Sequence, residues 1–302
     1  MTDAASTTGW LYGEPERVDA VLRLATEALQ RAGIESARAD AELLLGAVQG
    51  VSRGRVQALA LTGAELDPEQ SNAFRALVIR RAAREPLQHL TGVAGFRGIE
   101  LEVGPGVFVP RPETEVVAGI AIEALRAVDA QDRRAMAVDL GTGSGAIALA
   151  IAAEVPLATV VGVEMQPQAF VWARRNAARL KLPNARIICG DLACALPHAS
   201  GAVDVVVSNP PYVPDEAVPR DPEVRMHDPA TALYGGPDGL DVVRRVVASA
   251  ERLLRQGGTL VLEHGEWQGD VVRDLLPPPA WRDARTSQDL TGRDRATTAT
   301  KA

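Results

Sequence analysis

From Ala135 onward the chain alternates short apolar runs with helix-compatible stretches, and no other feature restricts its fold so tightly. The runs lie near 135–140, 159–164, 186–189, 203–208 and 259–263. Strands that are apolar on both faces and separated by helices build a parallel sheet covered on both sides. The part of the chain after Arg111 is therefore expected to form a doubly wound α/β domain. Ligands on such sheets bind outside the carboxyl ends of the strands. Gly141, Glu164, Asp191 and Asn209 all fall at such ends, a convergence that packing alone does not explain.

The run Val203–Ser208 delivers Asn209-Pro210-Pro211-Tyr212 into that crevice. Asn209 carries a side-chain carbonyl that accepts hydrogen bonds, and the proline after it restricts its backbone to extended conformations. Pro210 keeps a carbonyl but has no N–H, so the local backbone is stiff and rich in acceptors. Tyr212 adds a flat aromatic face. Together they suit a planar C–NH2 group, such as a carboxamide or the exocyclic amine of adenine, and Pro211 completes the loop. A proline-rich connection between strand and helix is the plain alternative.

Upstream, Asp139-Leu140-Gly141-Thr142-Gly143-Ser144-Gly145 runs from a strand into an apolar helix. Glycines allow close backbone approach to a ligand, and the helix start offers free N–H groups. Glu164 closes the next strand, about 20 residues on, where an acid commonly holds ribose hydroxyls. Gly141, Gly143 and Ala146 also fit a dinucleotide fingerprint, so a nicotinamide cofactor stays open at this point. Asp139 favours S-adenosylmethionine, whose amino-acid end needs polar partners.

Residues 17–86 read as a small helical domain. Val18, Val21, Leu22, Ala25 and Leu29 recur at helical spacing and stop at Gly33; Ser36 can cap a second helix ending near Gly50. Asp67-Pro68-Glu69-Gln70 is a helix start with proline at the first position. Alternation with glycines over 87–110 marks a β-hairpin connector, and 111–302 is the α/β domain. Residues 1–16 are expected to be a disordered lead. Arg295–Thr300 is a weak strand former, which puts the last sheet edge in question.

The 302 residues carry a net charge of −7, against a surface that grips nucleic acid broadly. No apolar run is long enough to span a membrane, and the start lacks a signal-peptide pattern. The expected location is cytoplasmic. Cys189 and Cys194 have no metal spacing and are expected to be reduced thiols in the core, and the four scattered histidines make a metal improbable.

Asp139–Gly145, Glu164, Cys189-Gly190-Asp191 and Asn209–Tyr212 resemble the motif ladder of class I methyltransferases. Further stretches resemble the HemK/PrmC family of protein-(glutamine-N5) methyltransferases. They include Arg84–Gly92, Gly95-Phe96, Val109–Glu115, Pro229–Leu233, Gly235–Leu240 and Leu262–Gly265. The similarity runs from about Arg17 to Arg295. It implies a Rossmann-like class I fold with a helical N-terminal domain that recognises the protein substrate. It also implies methyl transfer from S-adenosylmethionine, leaving S-adenosylhomocysteine, to the glutamine of a Gly-Gly-Gln loop in peptide chain release factors. By this resemblance Asp139, Gly141–Gly145, Glu164, Asp191, Leu192, Asn209 and Phe96 contact the cofactor. Asn209, Pro210, Pro211, Tyr212 and Arg111 meet the substrate, with Asn209, Pro210 and Tyr212 catalytic. Phe96 packed within the hairpin, and Arg111 in an interdomain ion pair, are the competing readings. Leu192 departs from an aromatic residue usual there, keeping apolar contact but not stacking. No metal, nucleic acid or membrane partner is implied, and a monomer is expected. A glutamine methyltransferase for a ribosomal protein, an adenine-N6 DNA methyltransferase and a non-catalytic binding module are the alternatives.

Overall fold

A computed structural model describes residues 16–129 and 134–302. They divide into two compact units: one built from the N-terminal residues through Gly92 together with 220–227, the other from 93–219 and 228–302.

The first unit is helical. β1 (Glu16–Arg17) leads into α1 (Val18–Arg31), followed by α2 (Ala37–Gln49), α3 (Arg53–Leu61), β2 (Glu65–Leu66), α4 (Pro68–Ala82) and α5 (Leu87–Thr91). Residues 1–15 of the expected lead lie outside the described residues, but Glu16 is ordered and pairs with Leu66. Val18, Val21, Leu22, Ala25 and Leu29 form the buried stripe of α1, packed with Leu44, Leu45, Phe74 and Val78. Asp67 accepts the Gln70 N–H at 2.8 Å, opening α4 as its sequence requires. Ser36 does not cap its helix; its hydroxyl donates to Asp40 at 2.7 Å instead. α5 lies where a connector was expected, because Pro86 starts a new turn and Leu90 joins this core.

The second unit opens with a hairpin of β3 (Val93–Phe96) and β4 (Ile99–Glu102). Then follow α6 (Pro112–Asp129), β5 (Met136–Leu140), α7 (Ala146–Glu154), β6 (Thr159–Glu164), α8 (Pro167–Leu180), β7 (Ala185–Cys189) and β8 (Val203–Ser208). α9 (Pro222–His227) belongs with the helical unit, which corrects the expected continuous run of 111–302. Glu223 on α9 accepts from Arg81 at 2.8 Å and Arg84 at 3.2 Å. No local pattern announces an ion pair between residues so far apart in sequence. α10 (Ala230–Leu233), α11 (Asp241–Leu253), β9 (Leu254–Glu263), α12 (Gly269–Asp274), β10 (Trp281–Gln288) and β11 (Asp294–Lys301) complete the chain.

The seven-stranded sheet has the order β10-β11-β9-β8-β5-β6-β7. Its β9-β8-β5-β6-β7 portion is parallel, and β11 and β10 add antiparallel strands. Ala137, Val205, Val207 and Val261 face a core with α6 and α7, while Val138, Leu140, Val206, Leu260 and Leu262 face a second core with α11 and α12. Burial on both faces explains the unbroken apolar runs.

Two expectations need correction. β11 is no frail edge: it lies between β9 and β10, and Ala296 and Thr297 are fully buried. Its threonine hydroxyls find partners, Thr297 meeting the His264 ring at 2.9 Å and Thr298 accepting from Arg285 at 3.3 Å. Cys189 and Cys194 are free thiols but exposed rather than in the core, Cys189 ending the edge strand β7. No helix among the described residues is long and apolar enough to cross a membrane.

Asn176 on α8, fully buried, ties the hairpin to the glycine turn after β5. Its Oδ1 accepts the Glu102 N–H at 2.7 Å, and its Nδ2 donates to the carbonyls of Glu102 at 3.0 Å and Ser144 at 2.9 Å. Asn176→Ala is expected to destabilise the protein by about 1–3 kcal/mol for each buried group left unpaired. Urea unfolding measures this; a loss below about 0.5 kcal/mol, typical of surface positions, contradicts the role.

Candidate active site

Leu140, Glu164, Cys189, Ser208 and Glu263 are the last residues of five adjacent parallel strands. Each is followed by a loop at the same edge of the sheet. The strand order reverses between β5 and β8, where the two loops diverge and open a crevice.

On the β5 side, the N–H groups of Gly141 and Thr142 both donate to the Val163 carbonyl at 2.9 Å, folding the turn onto β6. Gly145 precedes α7 at φ +89°, a left-handed conformation that strains any residue with a Cβ, and a Cβ there would also crowd Leu149 Cδ1 at 2.8 Å. A Cβ at Gly141 or Gly143 would meet nothing within 4 Å, so open space lies above the loop. Ser144 and Thr142 are buried in the turn. Glu164 accepts from Gly143 N and Gln166 N, each at 2.8 Å, so its carboxylate braces the glycine turn. Each oxygen keeps a lone pair for a hydroxyl.

Asp139 is buried. Its Oδ2 accepts from the Thr142 hydroxyl at 2.5 Å and Ala148 N at 3.1 Å, while Oδ1 has no partner among the described residues. Burial pushes its carboxyl up to about 7, against those hydrogen bonds and helped by the nearby Glu164 charge. An unpartnered buried carboxyl oxygen beside an open glycine turn suits the ammonium end of an amino acid.

Asp191 accepts the Ala193 N–H at 2.9 Å and pairs with Arg245 at 2.5 Å, which together hold its carboxyl below the ordinary range. Leu192 packs partly buried against the core on the α11 side. Phe96 ends β3 of the hairpin. It is buried with Leu101, Val117 and Ala118, the packing expected of a hairpin residue.

On the β8 side, the Ser208 hydroxyl donates to the Leu140 carbonyl at 2.6 Å, locking the ends of β8 and β5 together. Asn209 Nδ2 donates to Thr114 Oγ1 at 3.2 Å, and its Oδ1 bonds to no described residue. Pro210 is buried, and Pro211 and Tyr212 are half-buried. The Tyr212 carbonyl accepts from Gln268 Nε2 at 3.0 Å. Gly239, at φ +76°, lets the following loop press on that backbone, since a Cβ there would sit 2.3 Å from the Tyr212 carbonyl oxygen. Val213 and Gly235 are held by backbone bonds of 2.9 Å.

Glu263, the last residue of β9, is a buried carboxyl. Burial pushes it up to about 7, opposed by the Thr114 and Tyr212 hydroxyls and by the Arg295 charge. Burial likewise raises the Tyr212 phenol. Arg111 pairs at 2.8 Å with the buried Asp228 of the same unit and lies 5.3 Å over the Phe108 ring, so it is not an interdomain pair. Among the described residues, no group of three or more His, Cys, Asp or Glu could hold a metal ion.

The fold thus brings Asp139, Gly141–Gly145 and Glu164 to one side of the crevice and Asn209–Tyr212 to the other. Thr114, Glu263, Ser208 and Gln268 carry roles that the sequence did not assign. A usable signal existed for Glu263, an acid ending an apolar strand just as Glu164 does.

The sheet order, the glycine turn and the Asn-Pro-Pro-Tyr loop define a class I methyltransferase fold. The family model described as the PrmC N-terminal domain matches residues 20–92, and a methyltransferase-domain model matches residues 132–293. A release factor glutamine methyltransferase of Streptomyces coelicolor is 48% identical over 282 residues, covering 92% of this chain and 96% of that protein. The one of Mycolicibacterium smegmatis is 46% identical, covering 94% and 98%. The chain belongs to the release factor glutamine methyltransferase family. Among solved structures, a Thermus thermophilus 16S rRNA N2 G1207 methyltransferase in complex with AdoMet and guanosine aligns over 70% of this chain and 50% of its own. That alignment has 23% identity and a TM-score of 0.49, too loose to add to the assignment.

The raised Asp139 carboxyl has a consequence for stability. Its folded value of about 7 exceeds the ordinary 3.8, so the folded chain keeps a proton that the unfolded chain releases in between. Stability from this group therefore falls as pH rises through that window. Without ligand, Asp139→Asn is expected to flatten the fall in unfolding midpoint between about pH 5 and pH 8. Parallel curves for parent and variant in thermal unfolding would refute the burial account.

Proposed function

We propose that the protein transfers a methyl group from S-adenosylmethionine to the side-chain amide nitrogen of the glutamine in a release factor's Gly-Gly-Gln loop. The observation that carries this reading is Asn209, whose Nδ2 is tied to Thr114 while its Oδ1 has no described partner beside the Pro210 carbonyl. Two acceptors at this spot match the two N–H bonds of a primary amide. The relatives' names supply the protein substrate, and the match to the PrmC N-terminal domain favours a release factor over a ribosomal protein.

Bound S-adenosylmethionine supplies an electrophilic methyl group on a cationic sulfur. Asp139 Oδ1 suits its ammonium group, Glu164 its ribose hydroxyls, and the Gly141–Gly145 turn its close approach; Leu192 offers apolar contact and Asp191 a polar edge. The glutamine nitrogen is a poor nucleophile because its lone pair is shared with the carbonyl. Asn209 Oδ1 and the Pro210 carbonyl accept its N–H bonds, fix its orientation and favour the positive charge that develops on it. Tyr212 holds the flat amide, with Pro211 keeping the loop stiff. The methylated nitrogen is acidic and releases its proton without a dedicated base.

The crevice accepts any planar NH2 group, so choice among proteins falls to the helical unit, with Arg111 and its neighbours shaping the entrance. We place the reaction in the cytoplasm, with the protein acting as a monomer and without direct nucleic-acid contact, consistent with the net charge of −7.

The test combines labelled S-adenosylmethionine with a release factor, a ribosomal protein and DNA, read by peptide mass spectrometry. One added methyl on the Gly-Gly-Gln glutamine is expected, and none once that glutamine is replaced. Asn209→Ala should lower turnover by about 10²–10³-fold while cofactor affinity changes far less. Methylation that survives loss of the glutamine, or that appears on adenine, overturns the reading.

A further inference from the structure

The last residue of the Asn209–Tyr212 loop is pinned by a side chain from another part of the chain. Gln268, only 3% exposed, lies between β9 and α12. Its Nε2 donates to the Tyr212 carbonyl at 3.0 Å, and its Oε1 accepts the Gly265 N–H at 2.9 Å. A carboxamide has nearly the same shape either way round, and its hydrogen-bond partners decide which end points where. Both partners here are backbone groups, a carbonyl that only accepts and an N–H that only donates. No hydroxyl or ring proton can reverse them, so Gln268 lies one way round with both ends of its amide used.

The mount of this side chain is itself fixed to the sheet. His264 donates its backbone N–H to the Arg295 carbonyl at 3.0 Å, and its Nε2 meets Thr297 Oγ1 at 2.9 Å, both on β11. Gln268 N donates to the Gly265 carbonyl at 2.9 Å, closing the turn into α12. Gly239 comes to the same point: a Cβ there would sit 2.3 Å from the Tyr212 oxygen and 3.0 Å from Gln268 Nε2. At the other end of the loop, the Ser208 hydroxyl holds the Leu140 carbonyl at 2.6 Å. Asn209–Tyr212 is thus a short segment between two pins, and its two prolines pass a displacement along instead of absorbing it. We infer that Gln268 is a positioning residue for methyl transfer. By holding the Tyr212 carbonyl it sets where the Tyr212 ring and the acceptors of Asn209 and Pro210 stand. This rests on the amide-binding reading of that loop.

Two substitutions in the full-length protein separate this role from packing. Gln268→Glu keeps the shape; ionised, it faces the Tyr212 carbonyl with an acceptor, whereas protonated it can donate there and still accept from Gly265. Burial keeps such a carboxyl protonated above its ordinary range. Gln268→Met keeps the length and loses both bonds at every pH. At about pH 8 both variants are expected to turn over a release factor about tenfold or more slowly, as for other misplaced reacting groups. Toward about pH 6 the ratio of variant to parent turnover should recover at least about threefold for Gln268→Glu and stay flat for Gln268→Met. That ratio cancels groups that titrate in both proteins, His264 and Glu263 among them. Affinity for S-adenosylmethionine, measured by calorimetry at both pH values, should be unchanged. Should Gln268→Glu fail to fold, Gln268→Met still decides by the split between lost turnover and kept cofactor affinity. Full turnover in Gln268→Met, a flat ratio in folded Gln268→Glu, or cofactor affinity lost in step with turnover overturns the inference. Wild-type methylation of the release factor glutamine then leaves the site reading standing. A wild type that methylates no release factor overturns both.

Discussion

The backbone pairing of β5 with β8 is the constraint on which the rest of this molecule depends. β5 has β6 on one side and β8 on the other, so the chain winds outward in opposite directions from this pair. The register sets Asp139 opposite Val207, and the Ser208–Leu140 bond closes the strand ends. Two loops that are remote in sequence therefore begin side by side, one rich in glycine and one stiffened by proline. A slip of one residue would turn the apolar residues of either strand to the wrong face.

Around that pair the site concentrates buried acids. Asp139 and Glu263 each end or nearly end an apolar strand, each is pushed up to about 7 by burial, and each keeps one oxygen without a described partner. Burying such groups without a full set of hydrogen bonds costs free energy, and a fold that only had to be stable would use apolar side chains instead. Their presence at one sheet edge marks where stability gives way to chemistry. Glu164 is used differently: its oxygens take two backbone N–H bonds and brace the turn from the neighbouring strand.

Support for the Asn209 loop comes from three separate parts of the chain. Thr114 belongs to α6, Gln268 precedes α12, and Gly239 precedes α11. Each touches the loop at one atom or one backbone group, and together they hold it from several sides. Gly235 and Gly239 answer to the backbone of Pro211 and Tyr212, which no side chain at those two positions could approach.

The sequence by itself determined the sheet, the strand ends and the loops that matter. Period, run length, and the placement of glycine, proline and acid are local properties, and parallel strands buried on both faces leave a plain signature. It also carried the Asp67 helix start, because capping joins residues only three apart. What it could not carry were contacts that close over long stretches of chain. The Glu223 pairs that place α9 in the helical unit, the interior position of the threonine-rich β11 and the burial of Phe96 depend on which surfaces meet after folding. So does the exposure of the two cysteines, one of which ends an edge strand. The same reason separates Asn209, legible as an acceptor, from Thr114 and Gln268: a residue's type shows what it can bond, and only the tertiary structure decides what stands within reach.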